Sequence, residues 1–173
     1  MVSEKLFKEL NEQLNFEYES SNIYLSMAAY CASLDLDGFE NFFLVQSEEE
    51  RFHASKFYNY INEVNGRVKI SAYDEPQNEY ESLLDAFEIA LGHEELVTER
   101  IYKLMDLAQE EREYATISFL KWFIDEQVEE MNMFNKIIQK IKMIGDNANG
   151  LIMLDKELAQ RTFTPPTDTD VNQ

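Results

Sequence analysis

The chain has 173 residues, with 34 Asp and Glu against 15 Lys and Arg and a formal charge of −19. So acidic a surface excludes nucleic-acid backbones and anionic membranes as partners and favours cations. With 45% apolar and 13% aromatic residues, the chain is too rich in core-forming side chains for a disordered acidic protein, and its length predicts a single domain.

The first residues, Met1-Val2-Ser3-Glu4-Lys5, lack a basic region followed by an apolar stretch, so a cytoplasmic location is expected. Few glycines and prolines interrupt the body of the chain, and the apolar periodicity predicts long helices over residues 4–34, 38–65, 80–110 and 114–144. The uncharged run 20–34 is too short and polar to cross a membrane, which needs ~20 apolar residues. Short links near Asp35 and Glu111 predict two antiparallel helical hairpins. The segment from Gly66 to Glu79 carries Pro76 and no helical period. Fourteen extended residues reach ~46 Å, enough to run the length of a bundle and make helices two and three parallel. Gly145 and Asn147 predict a stop, followed by a short fifth helix over 150–160 that closes a domain of residues 1–161. A flexible Thr- and Pro-rich tail over 162–173 is expected to follow. The single cysteine, Cys31, excludes an intrachain disulfide and any multi-cysteine metal module.

The chemistry sits on the core seams. Positions spaced alternately by three and four place Glu17 on the first helix, Glu50 and His53 on the second, Glu94 on the third, and Gln127 and Glu130 on the fourth. None of the seam positions holds Lys or Arg, so these buried carboxylates must bind protons or metal. Four carboxylates, an imidazole and an amide suit hard or borderline divalent ions such as iron and manganese, and two ions can be accommodated. The spacing repeats: 33 residues separate Glu17 from Glu50 and Glu94 from Gln127, and 36 separate Glu17 from His53 and Glu94 from Glu130. Such a repeat brings matching side chains from two hairpins to one centre. The competing reading is a hydrogen-bonded polar layer that only fixes helix register. His93 lies one residue off the seam and reads as a surface or interface histidine. The methionines read as core filler, and Tyr24 and Trp122 as packing or as electron donors. Glu49, Glu126 and Glu129 read, on composition alone, as parts of solvated faces.

Across residues 4–160 the sequence resembles the bacterial non-haem ferritins. The resemblance rests on Glu17, on Glu49-Glu50-Arg51-Phe52-His53, on Glu94, on Glu126-Gln127-Val128-Glu129-Glu130 and on Leu154-Asp155-Lys156-Glu157-Leu158. It implies an all-α, ferritin-like up-down four-helix bundle with a long crossover between helices two and three and a short fifth C-terminal helix. It also implies a ferroxidase centre: Glu17 and His53 on one iron, Glu50 bridging, Glu94 and Glu130 on a second, and Gln127 beside the second iron. Glu49, Glu126, Glu129 and the shared Glu130 would form a third, weaker iron site, and Tyr24 would stand near the diiron centre as an electron source. The implied function is storage of iron as ferric mineral in a shell of 24 subunits, after oxidation of Fe(II) by O2 or H2O2. The fifth helix would pack with symmetry mates. Gln127 and Glu130 replace the second Glu-x-x-His of bacterioferritin, and Arg51 stands where that family has a haem-ligating methionine, so no haem is expected. A diiron oxidase that stores no iron and a non-catalytic helical scaffold remain the alternatives.

Overall fold

The computed structural model describes residues 2–165. Five helices form in chain order: α1 (Glu4–Ser33), α2 (Asp37–Glu63), α3 (Leu83–Glu110), α4 (Tyr114–Ile144) and α5 (Ala148–Leu158). Where their ends differ from the sequence expectation, caps explain it. Helix α3 begins at Leu83 rather than 80 because Ser82 Oγ accepts the Asp85 amide at 3.1 Å. The Asn147 side chain accepts the amides of Asn149 and Gly150 at 3.1 and 3.2 Å, which starts α5 at Ala148 rather than 150. Helix α2 stops at Glu63 rather than 65, because Asn65 turns left-handed at φ 62°. The expected tail over 162–173 lies outside the described residues from 166 onward.

Three helix ends use a left-handed residue that is not glycine: Asp35, Asn65 and Arg112. The amide after each reaches back into the last turn: Leu36 N to Cys31 O at 3.2 Å, Gly66 N to Ile61 O at 2.7 Å, and Glu113 N to Ala108 O at 2.9 Å. The closures at Asp35 and Arg112 fold α1 on α2 and α3 on α4 as hairpins, while the one at Asn65 ends α2 and starts the crossover.

The crossover between hairpins runs along α1 from its first turns to its last. Two asparagines one turn apart serve it as backbone partners. Asn11 donates to Arg67 O at 3.2 Å and accepts from Lys69 N at 2.6 Å; Asn15 donates to Lys69 O at 2.8 Å and accepts from Ser71 N at 2.8 Å. Farther along, Ser26 donates to Gln77 O at 2.7 Å, and the Tyr80 ring meets Tyr30 at 5.0 Å. Helix α3 therefore starts beside the end of α1 and runs parallel to α2. Phe43 and Phe87, at 4.7 Å, mark the shared level of their first turns.

The core is two apolar clusters separated by a polar layer. One gathers Tyr24, Phe39, Phe42, Phe43, Phe87 and Phe134 near the α1–α2 turn, and the other gathers Leu6, Leu10, Phe57, Ile101, Leu120 and Phe123 at the opposite end. Seam positions at the rims, Val64, Leu83, Ile141 and Ile144, are only partly buried. Helix α5 lies across the start of α2, burying Leu154 and Leu158. Asp155 Oδ1 accepts the amides of Gly38 and Phe39 at 2.8 and 3.1 Å, supplying the cap that Leu36 does not. The fifth helix thus packs on its own bundle through these residues, while Ile152 and Met153 point outward. Among the described residues no helix is long and apolar enough to cross a membrane.

Candidate metal centre

Each long helix delivers its polar seam residues to the layer between the two clusters. Glu17, Glu50, His53, Glu94, Gln127 and Glu130 are all 3% exposed or less. Burial is the main reason the carboxyls of Glu17, Glu50 and Glu130 are held well above the usual carboxylate range; next comes the charge of a neighbouring carboxylate, Glu50 for Glu17 and Glu94 for the other two. Burial also raises Glu94, against the opposing effect of hydrogen bonds from Tyr24 and Gln127. The layer as it stands favours protons, and a multivalent cation at the same place would displace them.

Hydrogen bonds orient most of the ligand atoms. Gln13 donates to Glu17 Oε1 at 2.8 Å, and Gln46 donates to Glu50 Oε1 at 3.2 Å and to Glu130 Oε2 at 2.9 Å. Gln127 donates to Glu94 Oε2 at 3.0 Å, while the Tyr24 hydroxyl donates to Glu94 Oε1. Burial raises the Tyr24 phenol well above its ordinary value, and the Glu94 charge adds to this, so Tyr24 stays protonated as a donor. Among the described residues two buried oxygens, Glu17 Oε2 and Glu50 Oε2, have no hydrogen-bond partner, and Glu50 Oε2 lies 3.4 Å from His53 Nδ1. They belong to the trio Glu17, Glu50 and His53, whose ligand atoms lie within 4.8 Å of one another. Unpartnered carboxylate oxygens facing an imidazole form a donor set that fits a divalent iron-like ion.

A second trio, His53, Glu126 and Glu130, meets the same distance limit on the outer side of His53. Of the other residues expected in a third site, Glu129 is exposed and Glu49 is held by Arg161. The structure therefore brings Glu126 and Glu130 together and leaves Glu49 and Glu129 at the rim, in a common cleft of about 810 Å³. Trp122 stands edge-on to His53 at 5.4 Å, with Lys56 Nζ 4.2 Å above its indole. His93 is half-buried, with its ring turned into the bundle: it stacks on Phe16 at 5.3 Å, reaches Ser20 Oγ at 2.7 Å and meets the Tyr24 ring edge-on at 5.8 Å. Burial lowers its pKa to about 4, so it buttresses Tyr24 as a neutral ring.

Two arginines that the seam pattern misses stand just outside the layer. Arg100 donates to Gln13 Oε1 at 2.9 Å and lies 4.1 Å over Phe16; Arg161 donates to Gln46 Oε1 at 2.8 Å and lies 4.4 Å over Phe42. Each arginine meets a glutamine, and that glutamine meets the carboxylates. No sequence periodicity signals this, because both guanidiniums reach inward from positions off the seam.

The family profile for the Ferritin-like domain matches residues 7–144. The chain is 45% identical over 163 residues to the bacterial non-heme ferritin of Staphylococcus aureus (strain USA300), covering 94% of this chain and 98% of the relative. It is 44% identical over 163 residues to the protein of the same name from Staphylococcus haemolyticus (strain JCSC1435), with the same coverage. Among solved structures, a form of the Archaeoglobus fulgidus ferritin closed by site-directed mutagenesis superposes with a TM-score of 0.93 at 45% identity, covering 95% of this chain and all of that one. The open-pore ferritin of that archaeon matches at 0.93 and 44%, covering 94% of this chain and 100% of its own.

Proposed function

Because the chain belongs to the ferritin family, we propose that it is an iron-storage protein that oxidises Fe(II) at the polar layer and deposits ferric mineral within an assembled shell. The observation that carries this reading is the pair of unpartnered buried oxygens, Glu17 Oε2 and Glu50 Oε2, beside His53. In this reading Glu17 and His53 bind one Fe(II), Glu94 and Glu130 bind a second, and Glu50 serves both. Gln127 holds Glu94 in place from beside the second ion, and the Tyr24 hydroxyl, hydrogen-bonded to Glu94, orients the same carboxylate. Glu49, Glu126, Glu129 and Glu130 take a third, weaker ion.

The residues' work is binding, orientation and exclusion of water. Carboxylates release their protons as Fe(II) binds, and the glutamine amides keep each carboxylate aimed inward. Dioxygen takes one electron from each of two Fe(II) and leaves as peroxide with two protons; with H2O2 as the oxidant the products are water and Fe(III). Mostly oxygen ligation lets Fe(III) move on to the mineral. The diiron-oxidase alternative needs a pocket for an organic substrate, whereas two clefts beside this layer carry Glu49 and Glu126 in their walls, which suits cations.

Stepwise aerobic addition of Fe(II) to the metal-free protein, read as ferric absorbance per subunit, tests the reading. The expected result is a fast phase saturating near two or three ions per subunit, followed by slower uptake far beyond that, with Glu50→Ala losing the fast phase. Equal slow oxidation in both proteins would return the layer to a register role. Sedimentation velocity tests the shell: 24 subunits are expected in one sharp boundary, and a monomer or dimer would remove storage from the proposal.

A further inference from the structure

Arg161 is set with care for a residue just past the last helix. The Asn41 side chain donates to both Leu158 O and Arg161 O, at 3.1 and 3.0 Å, which pins the backbone. The guanidinium then donates to Phe42 O at 3.0 Å, to Gln46 Oε1 at 2.8 Å and to the Glu49 carboxylate, and it rests over the Phe42 ring. Only 16% of the Arg161 side chain and 17% of the Glu49 side chain are exposed. Beyond it, Phe163 packs on Phe52 at 5.6 Å.

This placement bears on the outer carboxylates. Glu49, Glu126, Glu129, Glu130 and Arg161 all line one cleft, and Glu49, Glu126 and His53 line a second with Thr162, Phe163 and Thr164. Glu49 and Glu126 line both clefts, and the guanidinium, in the wall of the first, is bound to Glu49, one of the four carboxylates expected to take a third ion. An arginine cannot give up its charge at any physiological pH. A divalent ion arriving there meets a fixed like charge and a carboxylate already engaged.

We infer that Arg161 is the built-in cation of the outer carboxylate group, so that a third metal ion gains Glu49 as a ligand, and with it tight binding, only by displacing the guanidinium. This rests on the diiron reading above and adds its regulation: the chain's own arginine sets how tightly a subunit holds a third ion. Displacement also frees Gln46 Oε1, and Gln46 is the residue that orients Glu50 and Glu130. The outer ion is therefore felt by the inner pair through one amide.

Zinc tests this without redox chemistry. The assembled, metal-free protein is titrated with Zn(II) in a calorimeter, and stoichiometry and affinity are read for the wild type, Arg161→Gln, Arg161→Lys, the double variant Arg161→Gln with Glu49→Gln, and Glu50→Ala. The wild type is expected to bind two ions tightly and a third weakly. Arg161→Gln tightens the third roughly tenfold, the scale of one partly buried charge-assisted pair, while the inner two ions still bind; the melting temperature falls, because the guanidinium's bonds to Phe42 O, Gln46 and Glu49 are lost. Arg161→Lys restores weak third-ion binding, and adding Glu49→Gln cancels the gain. A third-ion affinity unchanged in Arg161→Gln overturns the role of Arg161 while the tight pair leaves the diiron reading standing. Loss of the inner pair in Arg161→Gln also overturns it, since Arg161 would then be a structural support. If the wild type shows no tight pair, or Glu50→Ala keeps it, both readings fall.

Discussion

A direct arginine–carboxylate pair in the polar layer would put a cation where a metal belongs. The two relays, Arg100 to Gln13 to Glu17 and Arg161 to Gln46 to Glu50, instead pass part of a positive field inward through an amide that donates and accepts at once. The carboxylates remain starved of charge compensation, and this has a measurable sign. Glu17, Glu50, Glu94 and Glu130 are raised, chiefly by burial, above the ordinary value of 4.5 to which unfolding returns them. Above that value the folded state binds more protons than the unfolded state, so stability from this source is full in acid and falls as pH rises toward the folded values. The melting temperature of the metal-free protein is expected to fall as pH rises above the ordinary carboxyl value of 4.5, less steeply in Glu50→Gln, and to flatten when Zn(II) replaces the protons. Calorimetric melts across that range check it; a melting temperature that climbs with pH in the metal-free protein would contradict it. The burial of these residues was legible because a carboxylate in a three-and-four apolar period has nowhere else to point. The arginines and His93 were not legible, since their positions depend on how far a side chain travels between helices rather than on which face it leaves.

Among the elements, α5 is the least secure and the most informative. Its Leu154 and Leu158 announce an apolar face in the sequence, but its polar anchor, Asp155 on the first turn of α2, joins residues 117 apart and has no local signal. Gly38 is required there for space: a Cβ would stand 1.7 Å from the Asp155 carbonyl oxygen. Gly38→Ala must lift α5 away and lose the cap, an expected cost of about 2 kcal/mol or more. Asp155→Asn keeps the shape and loses the charge at the helix start, an expected cost of about 1 kcal/mol or less. Urea unfolding ranks the two, and amide exchange in α5 should rise sharply only in Gly38→Ala; equal costs would mean that charge, not space, governs the contact. The helix ends at Asp35, Asn65 and Arg112 were placed within two residues by polar breaks in the apolar period. The left-handed geometry behind them was hidden, most of all at Arg112, a residue type that seldom adopts it.

At the scale of the molecule, the crossover laid along α1 makes the two halves very different from their junction. Each hairpin closes over a turn of a few residues, whereas the junction must close a loop through the whole of segment 66–82 and bring four reluctant carboxylates face to face. Loop closure and charge desolvation both fall on this one event. Refolding of the metal-free chain is therefore expected in two phases by stopped-flow circular dichroism: rapid helix gain, then a docking phase that slows as pH rises and speeds up with Zn(II). A single phase indifferent to both would sink the idea. If it holds, the Asn11 and Asn15 side chains act as a guide rail during assembly, holding the strap along α1 while the halves search for each other. The cargo then doubles as the clasp, and newly made chains should mature fastest where the ion they store is already at hand.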